Sequence, residues 1–190
     1  MKTVEPPRLP LPGGQVWPLT IAAYRALGEA GLIPKNTELL YGFVYQKMSK
    51  SPLHSALVGR LLRLIQAALP SAYCLRSEQP ITCGDSEPEP DISVLRRSEE
   101  DFWENHPHTA ELVIEVCLTS HEFDRSKLRA FATAGVKECW LVLVPEKQIE
   151  VHRKPANQSF VEHKTFGPGG SLTSIALAGF TVNLDKLFVR

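Results

Sequence analysis

What the chain lacks narrows it first. It has no apolar run long enough to span a bilayer, so no membrane partner is expected. Met1 to Pro12 is rich in proline and holds no apolar core of the kind a secretory signal needs. The four cysteines, Cys74, Cys83, Cys117 and Cys139, form no CxxC pair. That argues against a zinc ribbon or a disulfide framework and reads as free thiols in a reducing cytoplasm. Net charge is also missing, because 21 Lys and Arg balance 21 Asp and Glu. Any basic surface for nucleic acid must therefore be local. There is no internal repeat or low-complexity linker, and nothing points to a small-molecule organic cofactor.

What is present suffices for one α/β domain. Of the 190 residues, 43% are hydrophobic, enough to bury a core. An extended arm is expected over residues 1–19 and the domain over 20–190. Thr20 caps a helix from Ile21 to Ala30. Glu38 to Met48 reads as a hairpin turning near Gly42. Ser51-Pro52 opens a long helix that stops before Pro70, with His54, Val58, Leu61 and Ile65 on one apolar face. A histidine there is more often a packed residue than a ligand. Tyr73 to Thr82 reads as a strand, and Arg96 to His108 as a charged surface segment with a short helix. Glu138 to Val144 and Gln148 to Arg153 read as antiparallel strands, with Lys154 to Gln158 as a loop. Ser159 to Phe166 alternates, and a Gly-Pro-Gly-Gly turn leads to a C-terminal apolar plug.

The chemistry concentrates between Glu87 and Lys127. Asp91 follows two X-Pro steps, which hold the chain extended, and enters the strand Ile92-Ser93-Val94-Leu95. Glu115 lies within Leu112-Val113-Ile114-Glu115-Val116-Cys117-Leu118, a run that reads as a strand buried on both faces. A carboxylate there is costly unless a cation or hydrogen bonds compensate it. Two carboxylates on neighbouring strands make a hard oxygen site suited to Mg²⁺ or Mn²⁺. Taken singly, Asp91 also fits a turn cap, and Glu115 a buried ion pair with an arginine. Asp124 reads as the N-cap and Gly135 as the C′ residue of a helix over residues 125–134. On that helix Lys127, Phe131 and Ala134 share a face, so Lys127 leans toward the sheet, unless its stem snorkels outward.

Glu-Pro-Asp-Ile-Ser-Val, Leu-Val-Ile-Glu-Val and Phe-Asp-Arg-Ser-Lys-Leu-Arg-Ala-Phe-Ala-Thr-Ala-Gly-Val-Lys-Glu-Cys-Trp-Leu-Val together resemble the Uma-type endonucleases of the PD-(D/E)XK nuclease superfamily, from about Thr20 to Phe188. The resemblance implies a restriction-endonuclease-like fold, a single domain whose mixed central sheet is flanked by helices. It implies that Asp91 and Glu115 hold Mg²⁺ or Mn²⁺, with the Val116 carbonyl as a further ligand. Lys127 stands for the catalytic lysine, displaced onto the helix because Cys117 occupies its strand position. Glu38 matches the family's first acidic position near the metal; its alternative is a solvent-facing residue opening a strand. Tyr41 and Phe43 replace acids the family usually carries, while a histidine at the place of His54 is common in it. The implied activity is DNA phosphodiester hydrolysis, and the implied assembly a homodimer. The competing class is a nuclease fold without chemistry, kept for binding nucleic acid or protein. Arg125, Lys127, Arg129 and Lys137 are the expected basic patch, and Cys117 is expected to be a neutral packed thiol on the same strand face as Glu115.

Overall fold

In the computed structural model, residues 15–119 and 121–189 are described. The expected N-terminal arm lies outside them as far as residue 14. Strands β3 (Cys74–Arg76), β4 (Ile92–Leu95), β5 (Leu112–Cys117), β6 (Glu138–Leu143), β7 (Gln148–Ala156) and β8 (Ser159–Phe166) form one six-stranded sheet in that order. Only the β5–β6 pair is parallel, so the sheet is mixed, as expected. Helix α3 (His121–Thr133) makes the crossover that a parallel pair requires. A separate hairpin, β1 (Thr37–Leu40) and β2 (Phe43–Gln46), sits beside the sheet, joined to the 87–91 segment by a Leu39–Glu87 bridge. At its turn Gly42 has φ +81°, and Pro18 packs against its Cα so closely that no side chain fits.

Strands β5 and β6 are buried along their whole length, and period-2 alternation splits them between two cores. Leu112, Ile114, Val116, Trp140 and Val142 face helix α2 (Pro52–Ala68) through Leu57, Val58, Leu61 and Ile65. The C-terminal plug, β9 (Ser171–Thr173), β10 (Thr181–Asn183) and α4 (Leu184–Leu187), completes this core, with Phe180 stacked on Trp140 at 5.5 Å. Val113, Cys117, Cys139, Leu141 and Leu143 face α3 through Ala130 and Phe131. Helix α1 (Ile21–Glu29) has no buried residue and is tied to the domain by Arg25, which pairs with the buried Glu87. No described helix is long and apolar enough to cross a membrane.

Three expectations need correction. The Tyr73–Thr82 strand is confined to Cys74–Arg76, because Glu78 takes φ +56° and Pro80 has no N–H to donate. The Lys154–Gln158 loop is mostly strand: β7 reaches Ala156, and Asn157 and Gln158, at φ 50° and 62°, make a tight hairpin turn. Helix α3 begins at His121, so Asp124 lies inside its first turn and is not its N-cap.

The plug is fastened by Glu138, which is fully buried at the start of β6. Its Oε2 accepts from Ser174 Oγ at 2.6 Å and from the N–H groups of Ile175 and Ala176 at 3.0 and 3.1 Å. Arg153 donates to Oε1 at 2.9 Å. Glu138→Ala leaves the Arg153 charge and the Ile175 N–H without their carboxylate partner, and is expected to cost about 3–5 kcal/mol. Urea denaturation measures it, and a loss under about 1 kcal/mol would contradict the assignment.

Candidate metal and catalytic site

The β4–β5 register brings the two motif acids together. Ile92 pairs with Ile114, so Asp91, one residue before, lies beside Glu115, one residue after. The Asp91 N–H donates to Glu115 Oε2 at 3.3 Å, and the Val116 N–H donates to Asp91 Oδ2 at 2.7 Å. Glu115 points to the α3 face, and there it meets Lys127, whose Nζ donates to Glu115 Oε1 at 3.2 Å. Lys127 is turned inward, with its side chain 6% exposed. Its Nζ also lies 3.0 Å from Glu38 Oε1 of β1. That oxygen is buried, but the approach is off the direction of a hydrogen bond and leaves it without one among the described residues. Glu38 Oε2 is satisfied by the Glu89 N–H at 3.1 Å. Asp91, Glu115, Lys127 and Glu38 therefore converge on one cleft of about 480 Å³.

Two further groups belong to this cluster. Asp124 Oδ1 is 3.9 Å from Lys127 Nζ, one helical turn earlier on α3. Its i, i+3 spacing to Lys127 was the available signal, but the cap reading pointed it elsewhere. His54, at the start of α2, places Nε2 3.1 Å from Asp91 Oδ2, while its Nδ1 is buried and has no partner among the described residues. Ser51 fixes the entry of that helix by accepting the His54 N–H at 3.2 Å.

The electrostatics follow from burial and crowding. Burial raises the Glu115 carboxyl well above the ordinary range; Lys127 opposes this, and Asp91, Asp124 and Glu38 push it further up. Burial likewise raises Asp124, again against Lys127. Burial works against the charge on Lys127, but Glu115, Glu38 and Asp124 outweigh it and hold the ammonium above its usual value. Four carboxyl groups thus share one lysine and one histidine. The donor set is all hard oxygen, Glu38 keeps a buried oxygen that faces the Lys127 ammonium and makes no hydrogen bond among the described residues, and negative charge is in excess; these features fit a small divalent cation.

Tyr41 supplies a support that its spacing did not announce. Its hydroxyl donates to Ser126 O at 2.5 Å and accepts from Ala130 N–H at 3.1 Å, so the hairpin turn grips α3 on either side of Lys127. Tyr41 itself takes φ +54°. The expected basic patch, in contrast, is divided. Arg125 pairs with Glu150, Arg129 reaches Gln158 and lies over the Tyr41 ring, and Lys137 pairs with Glu111 at the other end of β5. Lys47 and Lys50 line the cleft instead, paired with Glu89 and Glu78.

All four cysteines are free. Cys117 is 1% exposed on the face of Glu115, and burial pushes its thiol up. Cys117→Ser is therefore expected to keep most of any metal-dependent cleavage; its abolition with an intact fold would make the thiol part of the site.

A mixed sheet covered by helices on both faces, with acids from adjacent strands at one end, is a restriction-endonuclease-like architecture. A search of solved structures gives the same class: a crystal structure from Anabaena variabilis, described as a putative nuclease belonging to DUF820, superposes with a TM-score of 0.73. The two share 20% identity over 90% of this chain and 98% of that one, a likeness that speaks for the fold. The chain belongs to the Uma2 family, described as "Putative restriction endonuclease", whose model matches residues 32–185. No curated protein matches it.

Proposed function

We propose that the protein is a divalent-metal-dependent nuclease that hydrolyses phosphodiester bonds in DNA. One observation carries the reading: Glu115, Glu38 and Asp124 crowd around the ammonium of Lys127, with Asp91 beside Glu115, at the base of an open cleft. Asp91 and Glu115 would hold Mg²⁺ or Mn²⁺, with Glu38 at its outer edge. The cation would supply an acidified water and offset charge on the phosphate. Lys127, kept protonated by its carboxylate neighbours, would orient the attacking water or stabilise charge gathering on phosphate oxygens. The Val116 N–H and His54 hold Asp91 Oδ2 in place. A homodimer would present two such sites for cutting two strands.

Incubation of the protein with plasmid and single-stranded DNA in Mg²⁺ and in Mn²⁺ tests this. Metal-dependent cleavage that a chelator stops is expected. Nucleic-acid binding without cleavage under every metal would favour the binding-module alternative.

The pH dependence has a definite sign. Glu115 and Asp124 have raised pKa values in the folded protein, so the native state holds protons there that the unfolded chain releases. Their contribution is present below the ordinary carboxylate pKa and is lost as pH rises through the raised folded values. Cation binding displaces those protons and removes the penalty. The rise in melting temperature caused by Mg²⁺ is therefore expected to be larger at about pH 8 than at about pH 5.5. An equal rise at both would contradict the coupling.

A further inference from the structure

A second cluster of ligand-type side chains lies outside the cleft, on the β7–β8 hairpin. Glu150, His152 and His163 each place one ligand atom within 4.8 Å of the others. Strand geometry builds the arrangement. Glu150 and His152 are two residues apart on β7, so they share a face, and His163 is the cross-strand partner of His152. The two imidazoles stack at 4.8 Å and 27°, so they are close enough to share an ion once one ring turns to bring its in-plane nitrogen toward the other. His152 Nε2 is buried, has no hydrogen-bond partner among the described residues, and lies 3.7 Å from Glu150 Oε2. Tetrahedral ligands on bonds of about 2.0–2.1 Å stand roughly 3.3 Å apart, so small rotamer shifts close the set.

We propose that Glu150, His152 and His163 form a binding site for Zn²⁺, separate from the cleft. Two imidazoles and one carboxylate suit a borderline transition ion and not Mg²⁺, which prefers oxygen alone. Three protein ligands leave the fourth position to water. Burial, helped by His163, lowers the pKa of His152, the direction that favours the neutral imidazole a ligand must present. The competitor is Arg125, which donates to both Glu150 oxygens at 3.1 and 2.5 Å. Zn²⁺ would take over Glu150 and release this guanidinium from the first turns of α3, two residues before Lys127.

Calorimetric titration of chelator-stripped protein with ZnCl₂, in excess Mg²⁺, tests the site. A single Zn²⁺ per chain is expected for the wild type and equally for Asp91→Asn, which separates this site from the cleft. His163→Ala, at an exposed position that folding tolerates, is expected to weaken binding at least about tenfold. Arg125→Ala is expected to tighten it. Absence of stoichiometric binding, binding indifferent to His163→Ala, or binding lost in Asp91→Asn would overturn the assignment.

Discussion

Lys127→Ala is expected to cut single-turnover cleavage by roughly a hundredfold or more at saturating metal, the scale of removing one preorganised electrostatic donor. The expectation rests on the setting of the side chain. It is buried, it touches Glu115 and Glu38 across two elements, and its helix is gripped by Tyr41. Cation binding is expected to survive, because the substitution removes a positive charge that competes for the same carboxylates. Lys127→Arg is expected to rescue poorly, since a guanidinium is wider and does not offer a compact charge in a space shaped by three carboxylates. Cys117→Lys in the Lys127→Ala background returns a cation to the same sheet face and is expected to restore part of the rate. A wild-type rate for Lys127→Ala would remove the lysine from the chemistry.

Asp91→Asn is expected to abolish both cleavage and the Mg²⁺-induced rise in melting temperature. The carboxylate is fixed by Val116 N–H and lies beside His54, so an amide of the same size loses the charge while the backbone stays in place. The fold itself should be little affected, because Asp91 remains partly open to the cleft. Differential scanning fluorimetry with and without Mg²⁺ reads this directly. An undiminished shift in the variant would place the cation elsewhere.

Much of this arrangement was legible in residue order. The convergence of Asp91 and Glu115 needs only antiparallel pairing of two short strands, and both were readable from their apolar runs. Lys127 faces inward because Phe131 does, and helical spacing carries that from one to the other. The parts that stayed hidden depend on tertiary geometry. Asp124 reads as a cap until the helix is seen to begin at His121, a boundary the polar His-Glu pair does not mark. Whether His54 is core or site turns on how α2 lies against β4, which periodicity leaves open. Tyr41 occupies a tight turn where local chemistry favours glycine or asparagine, so its hold on α3 has no local signature. The basic patch is divided because nearness in sequence does not decide which partner each cation meets: Arg125 pairs with Glu150 of β7, Arg129 reaches Gln158 in the β7–β8 turn, and Lys137 finds Glu111.

The carboxyl cluster around Lys127 is expected to bind one divalent cation. Titration of the protein with Mn²⁺, followed by loss of the free-ion electron paramagnetic resonance signal, tests it most directly. The account requires one Mn²⁺ per chain in the wild type, displaced by Mg²⁺ and lost in Glu115→Gln. No Mn²⁺ uptake by the wild type, or uptake that Glu115→Gln leaves unchanged, would contradict it.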